Sequence, residues 1–230
     1  TALQKHLRLT PNLEYSIASH GRSTTINAKF LPGALYSLTL DQDLQAEDGA
    51  TLNETMVTAL TIPNLEPSVA FSARGMFLPR QGPGLLELEY VNTEQIELTV
   101  SRVFPNNLAT LFQDYDYSVF DQDYAQSWVP SHLGSEIFRQ TYDLHSGPNT
   151  KEKWTMAMSE IIPDQRPGLY KVNVTLPRKY QGATRWIMRT DIGLVSKKDA
   201  QGYLVWASSI STLNSLKGLH IHLISSKNQI

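Results

Sequence analysis

The sequence predicts an all-β protein: tandem antiparallel immunoglobulin-like β-sandwich domains, the last one incomplete. Three observations carry that expectation. Apolar and polar residues alternate with period two along most of the chain, the pattern of strands with one buried face. Stretches with helical spacing are few. The Asp48-Gly49 pair and the two prolines of 63–67 punctuate the strands as turns and connections do.

Taken in order, the first strands are expected at Leu13–Ser19, Ser23–Ala28, Leu35–Leu40 and Met56–Ile62. The polar turn after the third contains Asp48-Gly49, a pair that tolerates the positive φ needed to reverse a chain. "PNLEP" at 63–67 places two prolines in five residues, which interrupts a ladder and stiffens a connection. A domain boundary is expected there, so that residues 1–65 form one β-sandwich and 66–192 a second. In the second, strands are expected at Leu85–Val91, Gln95–Phe104, Glu136–Leu144, Lys153–Met158, Leu169–Leu176 and Thr184–Arg189. Asn106 before Leu108, Leu111 and Phe112 predicts a short helix, and helix is expected only in the 106–117 region. "QDYDYSVFDQDYAQSWVPSH", residues 113–132, reads as a polar-aromatic excursion. Residues 193–230 alternate again in "GLVSKKD", "YLVWASS" and "GLHIHLISS". Three strands cannot close a sandwich, so this group reads as the incomplete start of a further domain.

A chain of 230 residues is long enough to bury a sizeable core without staples. Twenty basic and 22 acidic residues give a net charge of −2 with no basic block, which leaves no electrostatic footprint for nucleic acid or an anionic membrane. The absence of cysteine excludes disulfides, thiolate zinc sites, a Cys nucleophile and a Cys thioester. No run approaches the ~20 apolar residues of a membrane-spanning helix. The chain begins at Thr1 without a charged and apolar leader, as a mature chain or an excised piece of a longer one would.

Motifs that would carry chemistry are incomplete in this sequence. "DQDLQAEDG" (41–49) and "DYDYSVFDQD" (114–123) set aspartates at i and i+2, but a calcium loop of the EF type needs Gly sixth and Glu twelfth. Those positions hold Ala46 and Leu52 in one and Val119 and Ala125 in the other. Solvated turns are the expected role, with a looser calcium site on loops the alternative. His220 and His222 share one face of a predicted strand, yet supply two ligands where zinc takes three or four. A Gly-x-Ser-x-Gly elbow, a phosphate-binding Gly-Lys loop and a dinucleotide turn are all missing. Catalytic residues, cofactors and metals are therefore expected to be none. Trp154, Tyr170 and Trp186 at strand positions are expected to be core, because they bury large apolar area. Tyr115, Tyr117 and Tyr124 lie in an acidic loop and are the candidates for surface contact.

Residues 71–104, "FSARGMFLPRQGPGLLELEYVNTEQIELTVSRVF", resemble the start of a macroglobulin-like domain of bacterial alpha-2-macroglobulins. Arg74, Gly75, Leu78 and Pro79 match an "RG-x-x-LP" opening, and Val91, Asn92, Val100, Arg102 and Val103 match the strand pair that follows. "RPGLYKVNVTLP" (166–177) resembles the family's "PGLY" strand. "RWIMRTDIGLVSKKD" and the residues after it resemble the crossing into a following domain. Lys217-Gly218 and Ser211-Thr212 depart from that crossing pattern. Residues 1–65 resemble the bacterial immunoglobulin-like domain that precedes the macroglobulin-like domain of 66–192.

The resemblance implies a periplasmic, lipoprotein-anchored protein that traps proteases after a bait segment is cut, with this chain as scaffold. Proteases would be partners through the full-length protein, and the inner membrane only through an anchor outside this chain. "NTEQ" at 92–95 has the Glu-Gln of the family's thioester motif without its Cys, so no thioester is expected. A tandem immunoglobulin-like adhesin or ligand-binding ectodomain is the alternative; an enzyme is not expected. The uncovered apolar residues of 193–230 give a further expectation, self-association of the fragment.

Overall fold

The computed structural model describes residues 2–21, 23–46, 49–72, 77–78, 84–109, 111, 133–162, 164, 166–177, 182–225 and 229. The chain divides into two compact units, Thr1–Glu66 and Pro67–Ile230.

The first unit runs α1 (Ala2–His6), β1 (Leu7–Thr10), β2 (Tyr15–His20), β3 (Ser23–Ala28), β4 (Leu35–Leu40) and β5 (Met56–Thr61). β4 lies between β1 and β5 in an antiparallel sheet, and β2 pairs with β3 in a separate ribbon. Alternation decides the faces. Leu7 and Leu9 face Leu40 and Leu38 across the ladder, and among the described residues of this unit Leu7, Leu9 and Tyr36 are the buried apolar ones. The Tyr15 hydroxyl donates to the Leu7 carbonyl at 2.5 Å, tying the start of the ribbon to β1. β5, "MVTALT", is exposed along its whole length.

The second unit contains β6 (Ser68–Phe71), β7 (Phe77–Leu78), β8 (Leu85–Val91), β9 (Gln95–Val103), β10 (Gly134–Asp143), β11 (Lys151–Ala157), α2 (Met158–Ile161), β12 (Gly168–Thr175), β13 (Gly182–Arg189), β14 (Ile192–Asp199) and β15 (Gly202–Ser209). One sheet has the order β10-β9-β12-β13-β7 and another β11-β8-β6. Their inner faces share one core. Leu86, Leu88 and Tyr90 of β8 and Phe71 of β6 meet Ile96, Leu98 and Val100 of β9 and Tyr170, Val172 and Val174 of β12. α2 adds Met158 and Ile161 to it. Two sheets closed on one apolar layer are a β-sandwich. The pairing is antiparallel apart from β7, which lies parallel to β13 over two residue pairs.

Trp154 packs against the core edge beside Tyr142, with ring centroids 4.9 Å apart. Tyr170 is fully buried. Trp186 is buried on the opposite, outer face of its sheet with Val103, Leu111, Leu133 and Leu169. The helix expected from Asn106 begins as a 3-10 turn at Pro105–Asn107, with helical residues at 108, 109 and 111; its remainder lies outside the described residues. Helix is not confined to that region, since α1 and α2 stand elsewhere. At five and four residues they are too short to display a 3.6-residue period.

β14 and β15 form an antiparallel hairpin of eight residue pairs. The third strand expected at 218–226 does not form among residues 218–225, which are unpaired in any ladder. His220 and His222 therefore share no strand face. Glycine is needed where strands approach closely: a Cβ on Gly134 would lie 2.5 Å from the Arg102 carbonyl oxygen.

Candidate functional site

The outer face of the five-stranded sheet carries a polar groove. Period two puts Glu97, Thr99 and Ser101 of β9 on that face, with Lys171, Asn173 and Thr175 of β12 beside them. β10 contributes Glu136 and Arg139, and together they line a groove of about 540 Å³. β10 has a register shift between Glu136 and Phe138, and this bulge returns Arg139 to the groove side opposite Thr99. Arg139 donates Nη1 to Glu97 Oε1 at 2.7 Å and Nη2 to Glu136 Oε2 at 2.6 Å. Hydrogen bonding to Arg139 holds the Glu136 carboxyl below the usual carboxylate range.

Lys171 stands where the polar groove meets the small apolar cluster around Trp186. Register pairs Lys171 with Trp186, and the ammonium lies 5.6 Å from the ring centroid. Burial lowers the Lys171 amine to about 8, since a charged group taken out of water is disfavoured. The groove thus offers ion pairs, hydroxyls, an amide and a half-desolvated amine. Among the described residues no group of three or more His, Asp or Glu converges as metal ligands would.

Arg102, Tyr170 and the residues of "NTEQ" are joints of the fold. Arg102 of β9 pairs with Tyr170 of β12, sets its guanidinium carbon 6.0 Å from the Tyr170 ring centroid, and donates Nη2 to the Pro167 carbonyl at 3.1 Å. Tyr170 in turn donates its hydroxyl to the Arg166 carbonyl at 2.7 Å, and burial raises its pKa above the ordinary tyrosine value. Two motifs far apart in sequence therefore meet in one contact. "NTEQ" is the β8–β9 turn: Asn92 has φ of 47° and accepts the Asn149 amide at 2.6 Å. In the same turn Glu94 offers its carbonyl to Leu144 N at 2.7 Å, and Gln95 donates to Asp143 Oδ1 at 2.8 Å. Asp41, from the first acidic stretch, is paired with Arg8 at 3.0 Å.

Arg74, Gly75, Pro79, Tyr115, Tyr117 and Tyr124 lie outside the described residues. The sequence reading missed the groove, because its members are ordinary outward-facing strand positions. The one available signal was the charged, hydroxyl-bearing outward set of β9 and β12, read together.

An antiparallel sandwich with a "PGLY" strand at its centre and a β8–β9 turn fixed by Asn92 defines a macroglobulin-like, immunoglobulin-type β-sandwich module. The family description "Bacterial alpha-2 macroglobulin MG2 domain" matches residues 70–185, half of the chain. The chain belongs to the bacterial alpha-2-macroglobulin family. It is 22% identical to the alpha-2-macroglobulin of Escherichia coli (strain K12) over 197 residues, which are 84% of this chain and 12% of that protein. A crystal structure of a Salmonella alpha-2-macroglobulin mutant superposes with a TM-score of 0.67 at 20% identity, covering 90% of this chain and 12% of that one. Trypsin activated alpha-2-macroglobulin from Escherichia coli superposes at 0.56 with 21% identity, over 71% of this chain and 11% of the other. At that identity the superpositions establish the fold, and the chain spans about an eighth of the length of its relative.

Proposed function

We propose that this chain is scaffold in a protease-trapping macroglobulin, without a thioester or bait segment of its own. The observation that carries the reading is the fate of the family motifs: Arg102, Tyr170 and "NTEQ" are spent on strand pairing and turn geometry, leaving no reacting group among them. Proteases become partners through the longer protein, a reading supported by a relative whose structure is of a trypsin activated form. On this reading the chain is no enzyme and acts in the periplasm, tied to the inner membrane through an anchor outside it. Among the described residues no helix is long and apolar enough to cross a membrane.

The test incubates the isolated chain with trypsin and with chymotrypsin, following cleavage of a small peptide and of a large protein substrate. The scaffold reading expects both activities unchanged and no hydrolysis by the chain itself. Shielding of the large substrate by the chain alone, or turnover lost on changing one residue, would overturn it. Saturable binding of a cell-surface ligand in the absence of protease would favour the adhesin reading instead.

Self-association of the isolated chain through residues 193–230 is part of the same proposal. Leu194, Val195, Tyr203, Leu204 and Trp206 are all more than half exposed, which supports it. Sedimentation of the chain against a version ending at Thr190 checks it: concentration-dependent mass is expected only for the longer form.

A further inference from the structure

The "TDIGL" motif leaves a physical question. The β14–β15 hairpin has apolar residues exposed on both faces, with Leu194 at 57% and Trp206 at 51%. A two-stranded hairpin without a covering layer is marginal in water. What holds this one in register is visible at its two ends.

At the open end, the Asp191 carboxylate gathers the residues that follow β15. Its Oδ2 accepts the Ser209 hydroxyl at 2.8 Å; its Oδ1 accepts the Ser211 hydroxyl at 2.6 Å and the Ser211 amide at 3.0 Å. The Asp191 carbonyl accepts the Ile210 amide at 2.8 Å. Ser209 is only 4% exposed despite lying at the end of an exposed strand, and its hydroxyl also accepts the Thr212 amide at 3.0 Å. The chain is then turned back along β15, where the Leu216 amide reaches the Ala207 carbonyl at 3.0 Å. At the tip, Asp199 Oδ1 accepts the amides of Gln201 at 2.8 Å and Gly202 at 3.0 Å. Hydrogen bonds to an ionised acceptor are roughly twice as strong as neutral ones, and those at Asp191 join the residue just before β14 to the last residue of β15 and to Ser211 beyond it.

We propose that the hairpin is a clasped element: the Asp191 carboxylate holds β14 and β15 paired without a covering layer, and opening that clasp releases residues 192–216 while the sandwich stays folded. Asp191 is thus a positioning residue for the pairing of β14 with β15, and Ser209 and Ser211 are its two arms.

Hydrogen exchange read by mass spectrometry on the whole chain tests this, with peptides from 192–209 as reporter and from 169–189 as internal reference. Asp191→Ala is expected to raise exchange in the reporter about tenfold or more and to leave the reference unchanged. Asp191→Asn, which keeps an acceptor but not the charge, should fall between, and Ser211→Ala should raise reporter exchange by a smaller factor. Unchanged reporter exchange in Asp191→Ala, or coil-like exchange already in the unaltered chain, would overturn the proposal. So would reporter protection that vanishes on tenfold dilution, since association rather than the clasp would then hold the hairpin. If Asp191→Ala fails to fold, the Ser211→Ala measurement decides alone: equal reporter exchange in it and the unaltered chain refutes the clasp.

Discussion

β12, "GLYKVNVT", and β15, "GYLVWASS", are both eight residues long, both begin with glycine, and both are rich in β-branched and aromatic residues. Yet β12 is buried nearly throughout, whereas β15 is exposed or half-exposed until Ser209. The difference is one of neighbours. β12 has β9 and β13 on its two edges, a second sheet over one face and the Trp186 cluster over part of the other. β15 has β14 alone. A strand's sequence settles that it is extended; the layers assembled around it settle what it contributes to stability.

The sharpest way to break that comparison is to remove matched apolar side chains. Leu98→Ala in β9, where Leu98 is 1% exposed, is expected to cost about 3 kcal/mol in urea unfolding, from lost transfer energy and the cavity left behind. Leu194→Ala, where the side chain is 57% exposed, should stay within about 0.5 kcal/mol. Equal costs would mean that the hairpin has a cover. Next in size, Gly182→Ala should cost about 2 kcal/mol, because the new Cβ would run into the Val174 carbonyl of the adjoining strand and the sheet cannot yield locally.

Lys171→Met sharpens the comparison between the two faces of the sandwich. The folded amine lies near 8, below its ordinary value of 10.5, so between those values the unfolded chain binds the extra proton and stability rises with pH. Below about pH 8 the buried charge weighs against the fold, and the variant should be about 1 kcal/mol more stable at pH 7, with the gap narrowing toward pH 10. A gap that does not change with pH would show that Lys171 is not buried as an ammonium. The smallest effect is expected for Arg139→Ala: its partners are solvent-exposed, so the loss should stay under about 1 kcal/mol and fade in 0.5 M salt.

Much of the sandwich was legible because its strands alternate strictly. Leu86, Leu88 and Tyr90, or Val172 and Val174, announce one buried face each. β6 and β7 were not, since four and two residues are too few to display a period. β1 escaped for the same reason. "GLHIHLISS" failed in the opposite direction: its alternation is real, but a strand needs a partner edge, and none is paired with it among residues 218–225. In the candidate site, Lys171 gave no sign of burial, because what desolvates it is Trp186 on the next strand and the cluster beyond it. The roles of Asn92 and Arg102 could be read as motif membership, but their mechanical meaning required the positions of Asn149 and Tyr170.

β9 and β10 are zipped up to Val103 and Gly134, and the Phe104 amide closes the last rung on the Leu133 carbonyl at 2.9 Å. The stretch between them is therefore an insert on a pinched neck, whose ends stay a few ångströms apart whatever it contains. Lengthening such a loop twofold costs only about 0.6 kcal/mol in closure entropy. Leu108 and Leu111 are committed to the Trp186 cluster. The neck thus makes β9 and β10 a frame whose spacing does not depend on the length of chain it closes.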